Sequence, residues 1–263
     1  MPLGNPDHAQ PECSGQQFSR LIVPIILYST IIRFERLVTV VRAGKITCMV
    51  AEKSTHAGSP IPGPITAITF DLGNVLIKVD HLRFCRRVAA LAGLSPQDVY
   101  AQVFESSLEP GYDTGRITSR EFYERVTAHF GVTLAYARFR ELWCDIFDPM
   151  EAMAAVVAHL APRFPLFLLS NTNSLHFDYI RERFDAILQP FEAFILSFEV
   201  GSRKPETAIY QALIERVSRP PAEILFLDDK VDFVEAARGQ GLTAWQFRSP
   251  QELRQDLERH GIW

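Results

Sequence analysis

The sequence predicts an α/β fold: a Rossmann-like parallel sheet with an inserted, all-helical block. Three observations predict it. Five short apolar runs recur along the second and larger part of the chain, separated by segments with helical periodicity, and strands alternating with helices make a parallel sheet. Three of those runs end in polar residues, at Asp71, at Ser170-Asn171 and at Asp228-Asp229. Between the first run and the second, residues 82–152 show helical patterns and no strand candidate.

The first run is Ile65–Phe70, ITAITF, apolar and β-branched, with Asp71 at its tip; a continuous run of this kind reads as a buried strand. Gly73 and Asn74 then predict a turn, followed by a second apolar stretch, Val75–Val79. In the helical block, Leu82, Val88, Leu91 and Ala92 fit one helical face. Ser95-Pro96 with Asp98 marks the next start, and the segment from Gly115 to Ser119 breaks the chain. Ser119 is placed as N-cap of a helix over Arg120–Phe130. Phe122, Phe130, Phe139, Trp143 and Phe147 are expected to fill the block's interior, with Cys85 and Cys144 as small buried hydrophobes. A helix over Met150–Leu160 leads back to the sheet. Further strands are expected at Leu166–Leu169, Phe194–Leu196, Ile224–Leu227 and Thr243–Phe247, and helices at Thr207–Val217 and Phe233–Gln240. The expected division is therefore a core of 65–81 and 153–263 and a helical block of 82–152.

Residues 1–64 are of different material. They carry six basic and four acidic side chains, against 21 and 27 in the remainder, and seven of the seventeen prolines. They are expected to be a poorly ordered extension ending in a Gly/Pro/Ser-rich linker, STHAGSPIPGP. A short strand pair within Arg36–Val50, turning at Gly44, is the exception. The apolar run LIVPIILYSTII has twelve residues, too few for a bilayer span of roughly 20, so no membrane partner is expected. The whole chain has net charge −4 and no long basic run, which argues against nucleic acid. Its four cysteines form no CxxC pair, which argues against a zinc cluster or a disulfide framework and suits a reducing, cytoplasmic setting.

Ligands of an open α/β sheet sit outside the carboxyl ends of the strands. There the sequence gathers carboxylates from two strands, the Ser170 hydroxyl and Lys204 from GSRKPE. Such a set suits a phosphate and a hard, oxygen-preferring cation such as magnesium, and an Asp carboxylate can act as a nucleophile.

FDLGNVL at 70–76, LLSNTN at 168–173, Lys204 in SRKPE and FLDD at 226–229 resemble the four motifs of the haloacid dehalogenase (HAD) superfamily, in order, with 99, 34 and 24 residues between Asp71, Ser170, Lys204 and Asp228. The branch they look most like contains α-D-glucose-1-phosphate phosphatases and the N-terminal phosphatase-like domains of epoxide hydrolases. The resemblance covers about residues 65–248 and makes the helical block a cap, in which YDTGRITSREFY at 112–123 resembles a common stretch. It implies a magnesium-dependent phosphomonoesterase acting on a small phosphorylated metabolite, a sugar phosphate above all, through an aspartyl-phosphate. Asp71 would be the nucleophile, and Ser170 and Asn171 would hold the phosphoryl group. Lys204 would neutralise charge. The metal would take Asp71, Asp229, the carbonyl of Gly73, and Asp228 as a ligand or an orienter.

Two positions depart from most phosphatases of the superfamily. Gly73 stands where they carry a second Asp as general acid/base, help typically worth roughly a hundred- to ten-thousand-fold; the branch named above also tends to carry Gly. Phe233 stands where relatives carry a polar residue near the metal loop. These departures keep two alternatives open: a haloacid dehalogenase in which Asp71 attacks carbon without a metal, and an impaired binding or regulatory protein on the same scaffold. Among the histidines, His81, His129, His159 and His176 share no metal-ligand spacing and read as structural or exposed, His176 being the one that could face the site. Tyr112, Arg116 and Arg120 are candidates for touching substrate.

Overall fold

The computed structural model describes residues 33–34, 37–42, 45–49 and 63–263. Most of the N-terminal extension, with LIVPIILYSTII and nearly all of the linker, lies outside the described residues, as does Gly44. Within the extension, β1 (Arg33–Phe34), β2 (Leu37–Arg42) and β3 (Lys45–Met49) form an antiparallel sheet in that order, so the strand pair read from the sequence is present there.

In the larger unit, β4 (Ala67–Phe70) starts the main sheet and β5 (Ile77–Val79) follows the Asp71 turn. Asn74 adopts φ 58°, a left-handed conformation that Asn tolerates better than most residues, and its Oδ1 accepts from the Val79 N–H at 3.1 Å. Five helices come next: α1 (His81–Ala92), α2 (Pro96–Phe104), α3 (Leu108–Asp113), α4 (Ser119–Phe130) and α5 (Tyr136–Cys144). The chain then returns through β6 (Phe147–Pro149) and α6 (Glu151–Leu160) to β7 (Leu166–Ser170). The rest alternates: α7 (Ser174–Arg183), α8 (Asp185–Leu188), β8 (Phe191–Leu196), α9 (Ser197–Val200), α10 (Thr207–Val217), β9 (Ile224–Asp228), α11 (Val231–Gly239), β10 (Thr243–Gln246) and α12 (Pro250–Arg259). The five-stranded sheet is parallel throughout, in the order β10-β9-β4-β7-β8. β4 therefore lies at its centre, flanked by β7 and β9, and the tips of these three strands are neighbours.

One face of the sheet packs Ile68, Phe70, Leu168 and Leu227 against α6, α7 and α12. The other packs Ala67, Leu169 and Phe226 against α10 and α11. The helical insertion has its own apolar centre, made by Phe84, Val88, Val99, Phe122, Phe139 and Trp143, and this centre reaches the core at Leu175 of α7.

Three local expectations are corrected. The stretch 82–152 does contain a strand: β6 pairs antiparallel with β5, Ile77 opposite Pro149 and Val79 opposite Phe147, so the two chain crossings into the insertion are hydrogen-bonded to each other. The N-cap of α4 is Thr118 rather than Ser119. Its hydroxyl accepts from the Glu121 N–H at 3.2 Å while the Glu121 carboxylate accepts from the Thr118 N–H at 2.7 Å, a capping box in which Glu121 decides the register. The buried face of α1 is Phe84, Cys85, Val88 and Ala89, with Leu91 pointing outward.

Candidate active site

The centre of the site is Lys204. It is 1% exposed, and its Nζ lies 2.7 Å from Asp71 Oδ1 and 2.6 Å from Asp228 Oδ2 while donating to the Leu169 carbonyl at 3.1 Å. Burial works against its charge, but the two carboxylates outweigh burial and hold the lysine above its ordinary value. The rings of Phe226 and Phe233 lie 5.5 Å and 5.2 Å from the same nitrogen, within cation–π range. Phe233 thus lines the cleft beside two ammonium groups, since Lys230 Nζ is also 5.1 Å from its ring.

Each side chain is set by its strand tip. Asp71 follows β4, and its N–H donates to the Leu227 carbonyl at 2.8 Å. Burial, chiefly, and repulsion from Asp228 raise its carboxyl to about 7, against the pull of Lys204. Asp228 ends β9 with no exposure. Its Oδ2 faces Lys204 and its Oδ1 accepts from the Lys230 N–H at 2.9 Å, an Asx-turn. Both oxygens are thus engaged, and the side chain orients Lys204. Asp229 turns towards the cleft, and burial raises its carboxyl. The carboxylates of Asp71, Asp228 and Asp229 each offer an oxygen within 4.8 Å of the others.

Ser170, at the tip of β7, lines the cleft. Asn171 lines it too, but its amide is engaged elsewhere: Nδ2 donates to the Lys204 carbonyl at 2.9 Å and Oδ1 accepts from the Lys204 N–H at 2.8 Å. The side chain expected on a phosphoryl group therefore fastens the backbone of the lysine loop, whose Lys204–Pro205 peptide is cis. Gly73 lines the cleft, and its carbonyl accepts no hydrogen bond among the described residues. A Cβ there would meet Val79 Cγ2 at 3.1 Å, so the place of the absent side chain is partly filled.

Over this floor stands the insertion. Asn173 caps α7 and ties it down. Its Oδ1 accepts from the His176 N–H at 3.1 Å and from Trp143 Nε1 at 3.3 Å, and its Nδ2 donates to Asp113 at 3.1 Å. His176 faces the cleft but is structural. Its Nε2 donates to the Trp143 carbonyl at 3.0 Å, Nδ1 accepts from Asn173 at 3.1 Å, and burial pushes its pKa down to about 3. Glu109 and Asp113, one turn apart on α3, are acids the sequence reasoning missed. Burial raises them to about 8 and about 6, and Arg203 Nη1 lies 3.8 Å from Glu109. An i, i+4 acid pair was the available signal, masked by Pro110 and Gly111 between them.

The cap residues expected on substrate are placed otherwise. Tyr112 is buried, its OH within hydrogen-bond reach of Ser119 Oγ (2.8 Å) and Ser174 Oγ (3.3 Å) and accepting from the Leu175 N–H at 3.3 Å. Arg120 stacks over Tyr136 at 4.2 Å, and Arg116 is exposed. Among the histidines read as structural or exposed, His81 lines the cleft with Asp71, Val79, Phe147 and Lys230. The cleft is small, with about 100 Å³ in which the centre of a water molecule fits.

A parallel sheet with a helical insertion after its first strand carries Asp71 and Asp228 at adjoining strand tips, joined by Lys204 from the loop before α10, the arrangement of an α/β hydrolase. The chain belongs to the haloacid dehalogenase-like hydrolases, whose family model matches residues 65–241. It is 22% identical over 200 residues to the D-ribitol-5-phosphate phosphatase of Bacteroides thetaiotaomicron, an alignment covering 73% of this chain and 97% of that protein. A haloacid dehalogenase family enzyme of the same organism, solved in complex with magnesium and inorganic phosphate, superposes with a TM-score of 0.63 at 22% identity, covering 70% of this chain and 94% of that one. Bifunctional epoxide hydrolase 2 of Rattus norvegicus is 29% identical over 82 residues, 31% of this chain and 15% of that protein, in keeping with the branch the motifs resemble. No helix among the described residues is long and apolar enough to cross a membrane.

Proposed function

We propose that the protein is a magnesium-dependent phosphomonoesterase acting on a small sugar or polyol phosphate, with Asp71 as nucleophile. The observation that carries this reading is the buried Asp71–Lys204–Asp228 cluster with Asp229 beside it. Three carboxylates against the ammonium groups of Lys204 and Lys230 still leave an excess of negative charge. Among the described residues the Asp229 carboxylate and the Gly73 carbonyl accept no hydrogen bond from another residue, while Lys204 takes only one oxygen of Asp71. That donor set fits magnesium, which favours oxygen ligands and few carboxylates. When bound there, the ion would reduce repulsion between Asp71 and an anionic phosphate. The phosphatase relative and the neighbour holding magnesium and phosphate support the same chemistry.

Lys204 fixes one oxygen of Asp71 and leaves the other to attack. A bond forms from that oxygen to phosphorus, the ester P–O bond breaks, and its electron pair stays on the departing oxygen, which takes a proton from water. A water molecule then attacks the aspartyl-phosphate, the Asp71–phosphorus bond breaks, and inorganic phosphate leaves with the carboxylate restored. Ser170 would contact the phosphoryl oxygens, with Asn171 holding Lys204 in place. The helical insertion, taken as residues 82–152, would serve as a cap that excludes bulk water and admits only small substrates.

The test is a panel of sugar and polyol phosphates with and without magnesium. Turnover that needs the metal and is abolished in a folded Asp71→Asn variant is expected. Full activity in that variant would sink the mechanism, and activity surviving a strong chelator would point to dehalogenase-type chemistry.

A further inference from the structure

His81 opens α1 at the wall of the cleft. Its ring is held by aromatic neighbours of the insertion, stacked on Phe104 with centroids 4.4 Å apart and tilted against Tyr100 at 6.4 Å. Neither ring nitrogen forms a hydrogen bond among the described residues, whereas His176, in the same cleft, has both engaged. Of the other polar side chains of the cleft floor, Lys204 is tied to Asp71 and Asp228, and Asn171 to the Lys204 backbone. His81 is thus a positioned imidazole with a donor and an acceptor to offer. Burial, and secondarily the charge of Lys230, press its pKa down to about 4, which favours the neutral imidazole.

The site also has a gap that such a group would fill. Gly73 gives no side chain to assist the departing oxygen, and Val79 stands against the place where one would begin. His81 lies two residues beyond Val79 and lines the same cleft.

We propose that His81 is a catalytic residue whose imidazole N–H hydrogen-bonds the oxygen of the departing alcohol as the ester P–O bond breaks. The proposal rests on the phosphatase reading above. The electron pair of the broken bond collects on that oxygen, the N–H stabilises it, and a proton from water neutralises it, so the histidine ends the step in the protonation state in which it began. A neutral imidazole can act as an electrophile in this way. The contribution is largest for an alkoxide leaving group, such as that of a polyol phosphate, and smallest for one that already carries its charge well.

The experiment compares two substrates on the full-length, magnesium-loaded protein: a polyol phosphate and p-nitrophenyl phosphate. His81→Phe, which keeps an aromatic ring on Phe104, is expected to lower kcat on the polyol phosphate by roughly 10- to 100-fold. It should change turnover of p-nitrophenyl phosphate by less than about threefold, with KM little moved on either. His81→Gln, which restores an N–H, should recover part of the loss. Equal losses on both substrates mean that the ring only packs, and no loss on either means that it does not touch the departing group; both results overturn the proposal. A wild-type protein inactive on both substrates overturns the phosphatase reading itself, and the role of His81 with it. If His81→Phe does not melt cooperatively, His81→Leu in the same two assays decides by the same criterion.

Discussion

Replacing Lys204 with Met tests the centre of the site directly. The ammonium lies 2.7 Å from Asp71 and 2.6 Å from Asp228, fully out of water. At an effective dielectric constant near 20, each contact is worth roughly 6 kcal/mol in Coulomb energy, most of it offset by the desolvation of three charges. Removing one partner of a buried pair leaves an uncompensated charge and typically costs about 3–5 kcal/mol. For a unit of this size that corresponds to a fall in Tm of roughly 6–20 °C. The remaining carboxylates can relieve the repulsion by binding a proton. Asp71, at about 7 with the lysine present, rises further without it, so the folded variant holds its proton above the pH at which the unfolded chain releases it. Its stability therefore falls as pH rises, and the deficit against the wild type is larger at pH 8 than at pH 5. Urea denaturation in the presence of a chelator, followed by circular dichroism at both pH values, measures this. Lys204→Met/Asp228→Asn should recover at least half of the lost stability and none of the activity. A loss below about 1 kcal/mol, or one equal at the two pH values, would refute the reasoning.

Three further outcomes are expected. Magnesium at about 100 times its Kd should raise stability by roughly 2.7 kcal/mol, read as a rise in Tm that Asp229→Asn removes. Gly115→Ala should destabilise by about 2–4 kcal/mol in urea, because φ is +67° and the new Cβ would fall 2.4 Å from the Phe198 carbonyl oxygen. Glu109→Gln should stabilise the protein at pH 8 and leave it nearly unchanged below pH 5. Burial and the neighbouring Asp113 raise the Glu109 carboxyl to about 8, with Arg203 and Lys230 opposing, so the folded wild type loses stability as pH climbs from the ordinary glutamate value through 8. Parallel pH profiles of Tm for the two proteins would contradict this.

The five sheet strands were legible because buried parallel strands are unbroken apolar runs, and Asp71, Ser170, Asn171, Asp228 and Asp229 were legible because they sit where such runs stop, whereas Lys204 stands in the loop between α9 and α10 and was read from its place in SRKPE. β6 was not, since Phe-Asp-Pro has no periodicity and is a strand only because β5 lies opposite it. Thr118 and Ser119 are equally able to cap a helix, and only the spacing to Glu121 separates them. The engagement of Asn171 with Lys204 is a tertiary contact across 33 residues, and no local pattern records it. The same holds for Tyr112, whose hydroxyl could have faced a ligand as readily as Ser119 and Ser174, and for His81, whose position depends on where Phe104 comes to rest.

The pairing of β5 with β6 has a consequence for what this chain can become. The two crossings are joined by their own hydrogen bonds and continued by the Asp80 N–H donating to the Ile146 carbonyl at 2.8 Å, so the ends of the insertion stay together whatever lies between them. Loop-closure cost grows only with the logarithm of length. A longer, shorter or different set of helices could therefore be spliced between Asp80 and Ile146 while the sheet and its strand tips keep their geometry. On the proposed phosphatase function, the clamp would make leaving-group preference an exchangeable part and the chemistry at the strand tips a fixed one, with a graft at those two residues as the route to altered specificity.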